Sequence, residues 1–169
     1  VMMSFSTPQL IAAYSRWHFG SYGGVTWGNL VLISLVIGAG LLASLALAKP
    51  LNALLLGERY AESMGLRLTM MRTALIALTS VLAGTVTAFC GPIQFLGIAV
   101  PHLARGIFNT SDHRILIPAT ALVGALLALL ADIIAALPGD GVLPLNAINA
   151  AFGAPVVIWI LLQRRRLAL

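Results

Sequence analysis

Long apolar runs alternate with short polar interruptions along the chain. Trp27 to Ala48 is the first clear run, closed by Lys49-Pro50. Thr69 to Phe89 is the second, and its Ala74, Ala77, Ser80, Ala83 and Gly84 suit close approach to other helices. Gly91-Pro92 then breaks the pattern. Ile93 to Phe108 is apolar but short for a straight crossing and holds Pro101. A kinked short span is predicted there, with re-entry as the alternative. Asn109 to Arg114 is a polar turn, and Ile115 to Leu137 is a further span with Pro118 near its start, where a missing N–H costs little. Pro138 to Pro144 is a Gly/Pro loop. Ala147 to Leu162 is the last span, broken by Gly153-Ala154-Pro155 and closed by Arg164-Arg165-Arg166.

Leu51 to Leu66 stands apart from its neighbours. It is amphipathic and carries Glu58, Arg59 and Glu62, so it is predicted to lie at the membrane surface as one or two short helices. Such a segment presents a rigid, charged knob to water between two spans. Residues 1–26 are mixed, with Thr7-Pro8 as a helix start and Tyr14, Trp17, Phe19 and Tyr22 clustered as at a membrane interface. Gly20 to Gly24 is turn chemistry.

Composition sharpens this to an all-α, polytopic transmembrane bundle. Of 169 residues, 60% are hydrophobic and 9% charged, against about 25% charged in soluble domains. The mean hydropathy is +0.99. At roughly 20 residues per crossing there is room for about five spans. The net charge of +5 does not form a nucleic-acid stripe, because the cations flank the spans. With the knob inside, Lys49, Arg59, Arg67, Arg72, Arg105, Arg114 and Arg164 to Arg166 all fall inside, and only Arg16 falls outside. That distribution favours Ile93 to Phe108 as a crossing, since re-entry would split Arg114 from the Arg164 cluster. It places the C-terminus in the cytoplasm. The opening Val1-Met2-Met3 has no charged n-region of a signal peptide. The single Cys90 supports neither a disulfide framework nor a thiolate metal site, and no cofactor is implied.

An ordered set of motifs carries a resemblance. Gly57-Glu58-x-x-Ala61-x-x-Met64-Gly65 is followed by Gly91-Pro92-Ile93-x-Phe95-x-Gly97 and Val100-Pro101-His102-x-x-Arg105. Asp112-His113-Arg114, Ala131-Asp132 and Gly153-Ala154-Pro155 complete the series. Together these strings resemble the membrane-spanning permease of ABC importers for iron–siderophores, haem and cobalamin (the FecCD family). The resemblance covers essentially the whole chain, 1–169, read as a single, partial permease domain: the second half of a ten-span subunit. It implies that residues 51–66 form the cytoplasmic coupling loop seated in an ATPase subunit, with Gly57, Glu58, Arg59, Ala61, Glu62 and Gly65 as coupling residues. Glu58 and Glu62 lie one helical turn apart and point the same way. The plainer reading is an interfacial helix whose charges meet water and headgroups.

The implied partners are an ATP-binding cassette ATPase, a periplasmic or lipoprotein substrate-binding protein, a second permease subunit (the same or different), a separate N-terminal half and membrane lipid. The implied location is the bacterial inner membrane. Asp132 is the one acid inside a span, so it should point into the bundle, either lining the pathway or bonding a neighbouring helix. Family members often carry a basic residue four positions later, where this chain has Ala136. Asn146 and Asn149 stand at the start of the last span, to cap it or to line the exit. Arg16 and Asp140 are what this half offers a docking protein. Gly91-Pro92-Ile93 reads as a structural turn. His102 lacks companion ligands and reads as a structural hydrogen-bonding residue, with Arg105 on its face.

The expected function is translocation of an iron–siderophore-type chelate, powered by a separate ATPase because the chain holds no Gly-x-x-x-x-Gly-Lys-Ser/Thr loop. The alternatives are a truncated remnant that does not transport, or an intramembrane enzyme. For the enzyme, the scattered His18, His102 and His113 offer no nucleophile–base pair.

Overall fold

The computed structural model describes Tyr14, residues 17–137 and 144–166, with side chains in the last helix to residue 158. All regular structure among these residues is helical. A 3₁₀ turn at Tyr22–Gly24 leads into α1 (Trp27–Ala46). Two short helices follow, α2 (Ala48–Leu55) and α3 (Glu58–Ser63). The longer helices resume with α4 (Leu68–Cys90), α5 (Leu96–Phe108), α6 (His113–Ala136) and α7 (Leu145–Arg166). α6 is the hub, packing against α1, α2, α5 and α7, while α4 lies mainly along α1.

Among the described residues three helices are long and apolar enough to cross a bilayer on their own: α1, α4 and α6. α5 is not, at 13 residues, or about 20 Å of helix. Its expected start at Ile93 moves to Leu96, because Gly91 to Phe95 is not helical. Both of its flanks are nevertheless fixed at opposite ends of the bundle. Upstream, Ser21 donates its amide to Cys90 O at 3.0 Å and the Asn146 amide holds Pro92 O at 2.7 Å. Downstream, Asp112 meets Asn52 of α2. The five non-helical residues before it add at most about 16 Å, less the turn where Leu96 N–H bonds back to Gln94 O, so segment and helix together reach about the 30 Å of a hydrocarbon core. The segment therefore runs from one end to the other and does not re-enter. Phe95 takes φ +65° and caps α5 through its carbonyl. It rests on Gly153, two turns into α7, where any Cβ would collide with the Phe95 side chain.

The interior is made of small residues. Eight of the fourteen buried apolar residues described are alanines, which lets backbones approach closely, as helix association in lipid requires. Ala131, Ala135, Leu145 and Ile148 form one cluster beside Tyr22. Ala104, Leu116 and Ala119 form another near the opposite end. Gly40 of α1 lies against Leu82 of α4 with no space for a side chain.

Candidate functional site: the two-helix knob

Residues 51–66 form two short helices joined at Gly57, whose φ of +106° turns the chain between them. α2 begins earlier than expected, at Ala48, and keeps Pro50 in its first turn, where the missing N–H has no helical partner to lose. α3 closes in a Schellman motif. Gly65 (φ +86°) donates to Glu62 O at 2.8 Å and Leu66 donates to Ala61 O at 3.1 Å. Both glycines thus hold backbone shapes that L-residues rarely adopt, which explains their spacing without assigning either a contact.

Glu58 opens α3, where its charge suits the helix N-terminus, and it pairs with Arg72 of α4 at 2.5 Å. Arg59 and Glu62 are exposed. Ala61 is fully buried, so as an expected coupling residue it packs the knob and cannot touch a partner. The tip carries apolar residues that sequence reasoning did not single out as contacts. Leu55, Leu56, Tyr60 and Met64 are between 50% and 67% exposed. Exposed apolar side chains beside charges mark an interaction surface.

The knob is bolted to α6 by Asn52. Its Nδ2 donates to Asp112 Oδ1 at 2.5 Å. Its Oδ1 accepts the His113 backbone N–H at 2.8 Å and faces His113 Nδ1 at 2.7 Å. Asp112 is the N-cap of α6 and accepts the Arg114 N–H at 2.9 Å. That amide bond, followed by the Asn52 bond, holds the Asp112 carboxyl below the ordinary carboxylate range.

Every Lys and Arg position among the described residues lies toward the knob end. They fall on or beside α2 and α3, at the start of α4, at the end of α5, at the start of α6 and at the end of α7. Arg16 and Asp140, the docking candidates, lie outside the described residues.

The pathway candidates separate. Asn146 lies within the first turn of α7 but does not cap it. Its side chain accepts Gln94 N–H (3.2 Å) and donates to His18 O (3.1 Å) and Pro92 O (2.7 Å), tying three segments together. Asn149 is buried beside a cavity of about 110 Å³ between α5 and α7, and its Nδ2 has no partner among the described residues. Asp132, expected to point into the bundle, is exposed on this half, because Ala131 and Ala135 occupy the face of that turn packed on Leu145 and Ile148. The His102 ring makes no hydrogen bond among the described residues, contrary to the bonding role expected of it.

The FecCD transport family model matches residues 1–163. The vitamin B12 import system permease protein BtuC of Escherichia coli O9:H4 (strain HS) is 40% identical over 163 residues, covering 96% of this chain and 49% of that protein. The BtuC of Citrobacter koseri is 39% identical over the same shares, and that of Salmonella typhi 38%. A solved structure assigned to the metal-chelate type ABC transporters, in an inward-facing conformation, superposes with a TM-score of 0.84 at 29% identity. It covers 92% of this chain and 52% of that one. The chain thus spans about half the length of the relatives it matches.

Proposed function

Because the chain belongs to the FecCD transport family, we propose that it is the knob-bearing half of an ABC importer permease that moves a metal chelate across the inner membrane. One observation carries this reading. A two-helix knob with an exposed apolar and charged tip sits between two long spans, at the end where the cations gather. Cations gather on the cytoplasmic side of membrane proteins, so the knob is placed to receive a cytoplasmic ATPase, with the C-terminus on the same side. Residues 51–66 are the coupling loop in this reading. Tyr60, Leu55, Leu56 and Met64 join Glu58, Arg59 and Glu62 as its contact surface. Gly57, Gly65 and Ala61 shape it.

The remaining spans of the permease, a second permease subunit and a substrate-binding protein belong to the same proposal, with Arg16 and Asp140 as docking candidates. For the pathway, Asn149 keeps a donor without a partner among the described residues, whereas the Asn146 amide is already committed to backbone. Asp132 faces away from this half and is left for the missing spans. For the cargo, the named relatives are vitamin B12 permeases and the solved neighbour is of metal-chelate type. A corrinoid is therefore the first chelate to test, with iron–siderophores and haem beside it.

Uptake of labelled cobalamin, ferric siderophores and haem by the assembled transporter tests both cargo and function. ATP-dependent uptake of one of these, lost on Gly65→Val with insertion intact, is the expected result. Impermeant thiol labelling of a Gly57→Cys variant from the outside would overturn the orientation.

A further inference from the structure

We propose that Asn52 is the positioning residue through which movement of the knob reaches the bundle, and that α6 is the helix that receives it. This rests on the coupling reading above. Among the described residues two polar attachments join the knob to the long helices, and they differ in kind. Glu58–Arg72 is a single contact between side chains that are 60% and 62% exposed, so water competes for both partners and the pair yields easily. Asn52 instead makes three contacts across some sixty residues of sequence, one to Asp112 and two to His113, consecutive residues at the start of α6.

The orientation of the amide follows from its neighbours. A carboxylate accepts only, and a backbone N–H donates only, so Nδ2 faces Asp112 and Oδ1 faces His113. His113 then carries its ring proton on Nδ1. Asn52 satisfies the His113 amide and Asp112 the Arg114 amide, two of the N–H groups that a helix start leaves without helical partners. A side chain of α2 has in effect become part of the cap of α6. α2 cannot shift without dragging or breaking that first turn. Because α6 packs on α1, α5 and α7, a displacement delivered there reaches the bundle, whereas α4 lies mainly along α1.

The test uses the complete transporter in lipid and reads the transport achieved per ATP hydrolysed. Asn52→Asp sets two carboxylates against each other. It should lower that ratio at least about tenfold, while the ATPase still co-purifies and still hydrolyses ATP. Adding Asp112→Asn removes one of the two facing charges; because the same Asp112 oxygen also accepts the Arg114 N–H, one amide cannot serve both bonds fully, and the ratio should recover in part. Arg72→Gln should leave it within about twofold. An unchanged ratio in Asn52→Asp, or no recovery in the double variant, overturns the proposal. So does loss of assembly in place of coupling, since a residue that merely holds the fold would move both. If Gly65→Val leaves both ATPase association and the ratio untouched, the coupling reading itself fails, whatever Asn52 does.

Discussion

Replacing Asn146 should loosen the end of the bundle opposite the knob without touching a pathway surface. Its side chain makes three hydrogen bonds, to Gln94 N, His18 O and Pro92 O. Each is worth about 0.5–1.5 kcal/mol net. The site is half-buried, so water recovers part of each bond and the lower end of the range applies. Asn146→Ala should therefore cost about 2 kcal/mol, or roughly a 30-fold rise in local opening. Asn146→Asp separates the contributions. It keeps an acceptor for Gln94 N–H but turns a carboxylate oxygen toward two carbonyls, so it should cost more than the alanine. Hydrogen exchange of the chain in nanodiscs reads this directly at Gln94 and at Ser21, whose N–H bonds Cys90 O beside the same junction. Faster exchange at both, with α2 and α3 unaffected, is expected. Unchanged exchange in Asn146→Ala, or slower exchange in Asn146→Asp than in the alanine variant, would refute the account.

Close approach gives two further predictions. Gly153→Leu places carbon where the Phe95 side chain already lies, and Phe95 is held at φ +65° and cannot retreat freely; overpacking of this kind costs about 1–3 kcal/mol, visible as a lower midpoint in thermal denaturation. Gly38→Ala on α1 meets nothing within 4 Å and should be neutral or gain up to about 1 kcal/mol. Gly91→Ala combines a backbone shape reserved for glycine (φ +77°, ψ 179°) with contact on the Trp17 carbonyl, so it should be more harmful than Gly153→Ala; equal midpoints would sink that ranking.

Which segments are helical was legible from apolar runs, and the exposure of the short helix α3 from the charges of residues 58–62. What stayed hidden has a common cause. A span bathed in lipid is apolar on every face, so pattern alone cannot say which side meets protein. Asp132 was placed inward by the cost of a carboxylate in lipid, yet alanines at 131 and 135 hold that face. Ala61 belongs to a shared string that predicts a contact residue, but it is fully buried. The Asn52–Asp112 bond closes a loop of sixty residues, and no local spacing announces such a pairing. The Phe95 conformation depends on Gly153 lying opposite, again a tertiary fact.

The distribution of polar ties bears on how such a bundle could deform. Asn52 fastens the knob end and Asn146 the far end, both through bonds of defined geometry. Between them the helices meet through alanine and glycine, with few large side chains interlocking. Smooth surfaces of that kind resist separation, because close backbones gain dispersion, but they oppose sliding and tilting less than deep interdigitation does. The weakest backbone in the span runs from the Asn146 tie, which holds Pro92 and Gln94, toward the knob. Gly91 to Phe95 has no helical ladder, and Pro101 removes one rung from α5. A push entering through α6 would thus meet stiff joints at both ends and a compliant segment in α5, its closest-packed neighbour. The deformation would concentrate around residues 95–101, beside the cavity that Asn149 lines and where its Nδ2 has no partner among the described residues.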